Sequence, residues 1–362
     1  MVSPPKRQEQ PMDITPFTVD VSGEELAELH RRLDAARLPD GRESLAELLG
    51  HWRRLDWPAQ QERINHTPQF LAEAGERTVH FARIRPERVT RGAVLLLHGW
   101  PDSLLRFEKV WDRLAGAGFD VVVPSLPGFG FSSGGAASSR DTAELFAGLM
   151  SELGHERFLV AAGDLGTGAV LALGRQHRQR LVGAHLLDIG YPSIPEQDLT
   201  SVEREWADFI AQWFATEGGY AHVQSTKPQI IGPALTDSPA GLAAWMFGFI
   251  EAGAVDGDVA AAFGGLDELL VNLSLYWFTR TGGSAADAYA ADGWGGDTSR
   301  VEVPTAVLVA PRDSRPPREW CERQATVVRY TTLAEGGHFL PLECPQAYTD
   351  DLLAFADQLA GR

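Results

Sequence analysis

Four short runs in which nearly every side chain is apolar constrain this chain most: 93–97, 121–123, 158–161 and 305–309. A strand with one wet face alternates apolar and polar residues. Runs with no polar face therefore belong at the centre of a parallel sheet, with helices covering both sides. Helix-forming stretches at 141–153 and 345–359 stand between and after these runs. Strand and helix in alternation predict an α/β class, with a mostly parallel, doubly wound sheet.

Two regions break the alternation. Residues 1–11 are rich in Pro and Gln and are expected to be a disordered tail. A helix is then signalled at Ser22, with Glu25 completing a capping box, an apolar face of Leu26, Leu29, Leu33 and Ala36, and a stop at Pro39-Asp40-Gly41. Ser44 and Glu47 form a second expected capping box ahead of Leu48, Leu49 and Trp52. This amphipathic region reads as an arm laid on the main domain. Between 191 and 299 the sequence is helix-rich and heavy in Trp, Tyr and Gly, as for a lid inserted between two strands. The expected organisation is thus a tail at 1–11, an N-terminal arm at 12–85, a sheet domain at 86–190, a helical lid at 191–299, and the rest of the sheet domain at 300–362.

With 362 residues, 44% of them hydrophobic, the chain can bury the core of one large domain with insertions. A net charge of −17 argues against nucleic acid or an anionic membrane, which need a positive footprint. No apolar run approaches the length of a spanning helix, and the N-terminus has no signal-peptide character. Cys321 and Cys344 suggest neither a metal cluster nor a disulfide framework, so a cytoplasmic location is expected. Three of the 32 basic residues are lysines, a bias that suits a GC-rich, bacterial genome.

The chemistry gathers around Asp164. It lies in Ala162-Gly163-Asp164-Leu165-Gly166, directly after one apolar run and before a helix-forming stretch. Small residues on both sides of x–nucleophile–x mark a strand-to-helix elbow that exposes one side chain at the top of a sheet. Asp is also a common helix cap, so the motif alone does not decide. A carboxylate nucleophile leaves an alkyl ester on the enzyme, which points to opening a strained carbon–oxygen or a carbon–halogen bond. His98-Gly99-Trp100-Pro101 follows the first strong strand, placing the amide of Trp100 to pair with that of Leu165 as an oxyanion hole. His98 itself reads as structural. His338, in Gly336-Gly337-His338-Phe339 after the last strand, completes an order of nucleophile, acid and histidine. The acid is Asp313, after the strand at 305–309, or else Asp188, after the strand that follows the elbow helix. Asp313 is favoured by its place after the penultimate strand.

Assembled, these residues resemble an epoxide hydrolase of the microsomal type, in which an N-terminal meander precedes an α/β-hydrolase core. The resemblance runs from about residue 14 to 357. It includes His98–Pro101, the segment 124–132, the Asp elbow, 336–339, and the lid segments 219–228, 237–245 and 275–277. It implies that two lid tyrosines, by position Tyr220 and Tyr289, bind the epoxide oxygen and protonate the alkoxide; Tyr276 is the rival. A phenol is a sensible acid for so basic a leaving group. The chain departs from the family pattern in two places. Leu165 stands where Trp is usual, which enlarges the pocket, and Asp102 stands where Gly is typical. The expected partners are a bulky or aromatic small-molecule epoxide and water, with no cofactor and no metal, and a homodimer is left open. A haloalkane dehalogenase would need a side-chain halide donor that Leu165 lacks. A non-catalytic binding protein on the same scaffold is the other alternative.

Overall fold

The computed structural model of the protein describes residues 12–191, 194–253, 258–292 and 299–361. The expected tail at 1–11 lies outside the described residues. The chain opens with β1 (Asp13–Phe17), α1 (Gly23–Asp34), α2 (Glu43–Arg54), α3 (Trp57–Asn65), β2 (Gln69–Ala74) and β3 (Arg77–Ile84). Then strand and helix alternate: β4 (Ala93–Leu97), α4 (Glu108–Gly116), β5 (Asp120–Pro124), α5 (Ser139–Glu152), β6 (Phe158–Ala162), α6 (Leu165–Gln176) and β7 (Leu181–Leu186). The helices α7 (Ser201–Glu217), α8 (Gly219–Thr226), α9 (Pro228–Asp237), α10 (Pro239–Ala252), α11 (Val259–Ala262), α12 (Leu266–Thr279) and α13 (Gly282–Ala291) follow as an insertion. The sheet resumes with β8 (Val301–Val309), α14 (Arg318–Gln324), β9 (Ala325–Thr332), α15 (Leu340–Glu343) and α16 (Pro345–Ala360).

Among the described residues the strands form one sheet in the order β1-β2-β3-β5-β4-β6-β7-β8-β9. From β5 to β9 all neighbours run parallel. The four apolar runs fall in β5, β4, β6 and β8, and β4 shows why they lack a polar face: Ala93, Leu95 and Leu97 enter one core, Val94 and Leu96 the other. This is an α/β-hydrolase fold with a helical insertion between β7 and β8.

The N-terminal region differs from its expectation. β1, β2 and β3 extend the sheet itself, pairing antiparallel with one another and onto β5. Their mixed composition, with Gln69, Glu73, Thr78 and Arg83 among apolar residues, hides them among helical patterns. The missed signal is Gly75 at φ 64°, in the two-residue turn between the paired Ala74 and Arg77. The capping box of Ser22 and Glu25 is present on α1. The one at Ser44 and Glu47 is absent, because α2 begins at Glu43 and Ser44 is already inside its first turn. Glu43 instead places a negative charge at the positive end of the helix dipole. The apolar faces of α1 and α2 pack into the same core as the lid helices, and the buried Trp52 indole donates to Ser274 Oγ of α12 at 2.8 Å.

Candidate active site

β6 ends at Ala162 and α6 begins at Leu165, so Asp164 sits at the apex with φ 56° and ψ −133°. A residue with a Cβ holds such a conformation only when its surroundings impose it. One constraint is Asp188, whose carboxylate accepts the Asp164 amide at 2.6 Å. Another is close packing: a Cβ on Gly166 would lie 2.6 Å from the Leu97 carbonyl oxygen, and one on Gly99 would lie 2.3 Å from Asp164 Oδ1. The Asp164 side chain makes no cap bond to α6. Its Oδ1 accepts the Trp100 amide at 2.8 Å, and the nearby Leu165 amide also favours the charged carboxylate.

His338 faces this carboxylate from the loop after β9. Its Nε2 lies 3.6 Å from Asp164 Oδ2, and its Nδ1 lies 3.3 Å from Asp313 Oδ1. Asp313, after β8, is held by the Ser314 amide at 2.8 Å. Asp188 is engaged with the elbow amide instead of the imidazole.

The electrostatics follow from these distances. Burial raises the Asp164 pKa, and the charge of His338 and the Trp100 amide only partly offset it. Burial opposes charging of His338, yet the carboxylates of Asp313 and Asp164 overcome it and lift the ring to about 9. Asp313 is buried too, but His338 and the Ser314 amide hold it below the usual range. Asp188, buried and beside Asp313, is pushed up to about 7. The two carboxylates that flank the imidazole thus favour its charged form.

Across the site the lid supplies phenols. Tyr220 of α8 stacks on Trp100, with centroids 4.9 Å apart and planes 12° from parallel. Tyr289 of α13 meets the same indole edge-on at 5.9 Å. The two phenol rings lie 6.0 Å apart, and burial with the nearby Asp164 charge raises both pKa values, keeping them protonated. Tyr276 is placed elsewhere, donating to the backbone carbonyl of Asp102 at 2.8 Å. His98 is buried, accepting the Leu126 amide at 3.0 Å.

Sequence reasoning did not single out Phe249, whose ring lies 5.2 Å from that of His338 and 4.9 Å from that of Tyr220. From it rings run outward through Trp213 and Phe214 to Tyr191, at 6.4, 5.2 and 5.4 Å. Arg106 was also missed; its signal is a charge four residues after Asp102 in an otherwise apolar stretch. Among the described residues no group of His, Cys, Asp and Glu is placed to hold a metal ion, and no helix is long and apolar enough to cross a membrane.

Known proteins share this fold. Residues 14–107 match the family described as epoxide hydrolase N terminus, and residues 92–220 match the alpha/beta hydrolase fold. The chain is 35% identical to a protein of Stigmatella aurantiaca (strain DW4/3-1) whose name places it among the epoxide hydrolases, over 96% of this chain and 86% of that one. The solved structure of Aspergillus niger epoxide hydrolase superposes with a TM-score of 0.83 at 29% identity, covering 97% of this chain and 98% of that one. Juvenile hormone epoxide hydrolase from the silkworm Bombyx mori gives 0.86 at 26% identity, covering 98% and 96%. With an aspartate at its elbow and full-length likeness to these enzymes, the chain belongs to the epoxide hydrolase family of the α/β-hydrolase fold.

Proposed function

We propose that this epoxide hydrolase works through an ester on Asp164 and acts on a bulky, aromatic epoxide. The observation that carries the reading is the line Trp100 amide–Asp164–His338–Asp313, with Tyr220 and Tyr289 packed against the Trp100 indole and close enough to feel the Asp164 charge. Asp164 attacks a ring carbon, the carbon–oxygen bond breaks, and a tyrosine protonates the alkoxide. The imidazolium of the resting site returns that proton to the phenolate. Ester formation also removes the Asp164 charge, one of those that hold a proton on His338. The chemical step therefore frees the base when it is needed. Neutral His338, oriented by Asp313, takes a proton from water as hydroxide adds to the ester. The amides of Trp100 and Leu165 stabilise the oxyanion, and collapse releases the diol with Asp164 anionic and His338 protonated again.

The substrate class is supported by Leu165, which leaves the wall beside the nucleophile open, and by the rings from Phe249 to Tyr191. Tyr191 is 51% exposed, so an aromatic face extends from the surface towards the imidazole. The unpaired Cys321 and Cys344 suit the cytoplasm. The test is a trapped intermediate. His338→Gln should still alkylate, so its intact mass should rise by one substrate. In a first turnover of wild-type enzyme in oxygen-18 water, the new diol oxygen should be unlabelled, because it comes from Asp164. No adduct in the variant, together with label in that first diol, would overturn the ester mechanism.

A further inference from the structure

The Asp102–Arg106 pair takes no part in the chemistry above, yet it touches each loop that carries it. Both side chains are 1% exposed. Arg106, in the turn after the oxyanion loop, donates through Nη1 to Asp102 Oδ2, while Asp102 Oδ1 accepts the Gly99 amide at 2.7 Å. Through Nη2 it donates to the carbonyl oxygen of His338 at 2.5 Å. The same nitrogen lies against Gly163, where a Cβ would come within 2.9 Å. The oxyanion loop is further tied to α12, by Tyr276 on the Asp102 carbonyl and by Asn272 on the Pro101 carbonyl at 2.6 Å.

A buried ion pair is a poor way to gain stability, since apolar residues of similar volume commonly do as well or better. We infer that Arg106, held by Asp102, is a positioning residue for ester hydrolysis: it clamps the oxyanion loop and the histidine loop around the elbow and sets a fixed positive charge behind them. The inference rests on the ester mechanism proposed above. Hydrolysis is the step that needs both loops at once, because His338 must aim water at an ester whose oxyanion the Trp100 amide receives. Ring opening needs Asp164 and the lid phenols, which Arg106 does not touch.

The charge has a consequence of definite sign. The carboxylates of Asp313, Asp164, Asp188 and Glu343 interact with the His338 ring and favour its charged form, and the Arg106 guanidinium opposes them. The phenols of Tyr220 and Tyr289 stay neutral. Hydrolysis runs on neutral imidazole. Removing the guanidinium stabilises imidazolium, so the acid limb of hydrolysis moves to higher pH.

The test separates the two half-reactions in Asp102→Asn/Arg106→Met, which removes both charges at once, and in Arg106→Lys, which keeps the charge but cannot bridge both loops. The double variant should melt near wild type and hydrolyse its ester about 10–100-fold more slowly, as expected for slightly misplaced reacting groups. Alkylation should fall less than about threefold, and the acid limb should rise, by less than loss of the guanidinium alone would give because the Asp102 carboxylate is lost with it. Arg106→Lys should share the slowing and keep the wild-type limb. Wild-type hydrolysis in Arg106→Lys would overturn the clamp, whether or not the double variant folds. Equal loss in both half-reactions of the folded double variant would overturn it too. These outcomes stand apart from the mechanism itself: no adduct in His338→Gln sinks the ester, whereas a trapped ester with unaffected Arg106 variants sinks only the clamp.

Discussion

At the scale of single residues, Leu165 is where this chain's pocket can be probed most directly. Replacing an indole by an isobutyl group beside Asp164 keeps the backbone amide and removes ring atoms from the wall. A small epoxide in the enlarged space seldom meets the carboxylate in attack geometry, and that geometry supplies much of the rate. Leu165→Trp should therefore shift kcat/KM towards small aliphatic epoxides and against polycyclic ones by about tenfold or more, roughly 1.4 kcal/mol of relative barrier. Equal response of both classes would mean that the side chain does not line the substrate pocket. Residue types and chain order made much of this site legible. The small residues around Asp164 announce a tight turn, and two glycines before His338 announce a loop free to aim a ring. Order favoured Asp313 and kept Asp188 as the alternative, because both follow strand ends. Which carboxylate faces the imidazole depends on loop paths, and Asp188 is turned to the elbow amide. Arg106 was illegible for another reason: a lone arginine after Leu104-Leu105 reads as a surface charge until its burial is known.

At the scale of elements, the central strands were legible because burial on both faces leaves a composition nothing else leaves, and β4 matches its apolar run residue for residue. The antiparallel edge was not, since a partly wet strand and an amphipathic helix share a mixture of polar and apolar residues. The helices before that edge show how the arm is held. Trp52 of α2 is 1% exposed, and its indole bonds Ser274 of α12, so one side chain joins the arm to the lid that carries the phenols. Trp52→Ala should cost about 3–5 kcal/mol, the usual cost of truncating a fully buried aromatic, and leave the Ser274 hydroxyl without that partner. Because α12 also anchors the oxyanion loop through Tyr276 and Asn272, activity should be lost at a lower temperature than the sheet melts. Coincident loss of activity and of far-ultraviolet ellipticity at the wild-type melting temperature would contradict this role.

At the scale of the whole molecule, acid stability should turn on one histidine far from the chemistry. His80 of β3 is fully buried where the antiparallel edge joins the core, with the rings of Phe17 and Phe131 at 5.0 and 5.3 Å. The Gln69 side-chain amide donates to the Ile64 carbonyl, so its oxygen faces His80 Nε2 at 3.0 Å, and Ser125 Oγ lies 3.0 Å from Nδ1. A neutral ring fits these partners, Nε2–H donating to Gln69 and Nδ1 accepting from Ser125. Burial lowers its pKa to about 3 from an ordinary 6.5. Between those values the unfolded chain binds a proton that the folded one refuses, so His80 takes stability away as pH falls from 6.5, by about 1.4 kcal/mol per pH unit. Asp188 acts in the opposite sense. Its folded pKa of about 7 lies above the unfolded 3.8, so between those values the folded state holds the extra proton and gains stability on acidification. Depressed carboxylates such as Asp102, Asp120 and Asp351 weigh in only nearer or below their ordinary range. Over this window the two groups oppose one another. His80→Gln removes one of them and keeps an amide that can bond both partners. Urea unfolding at several pH values between about 4.5 and 6.5 should show the variant gaining stability on acidification relative to wild type, by about 1.4 kcal/mol per unit. Parallel curves for the two proteins would mean that His80 takes up its proton in the folded state, and that the join between edge and core is open to water.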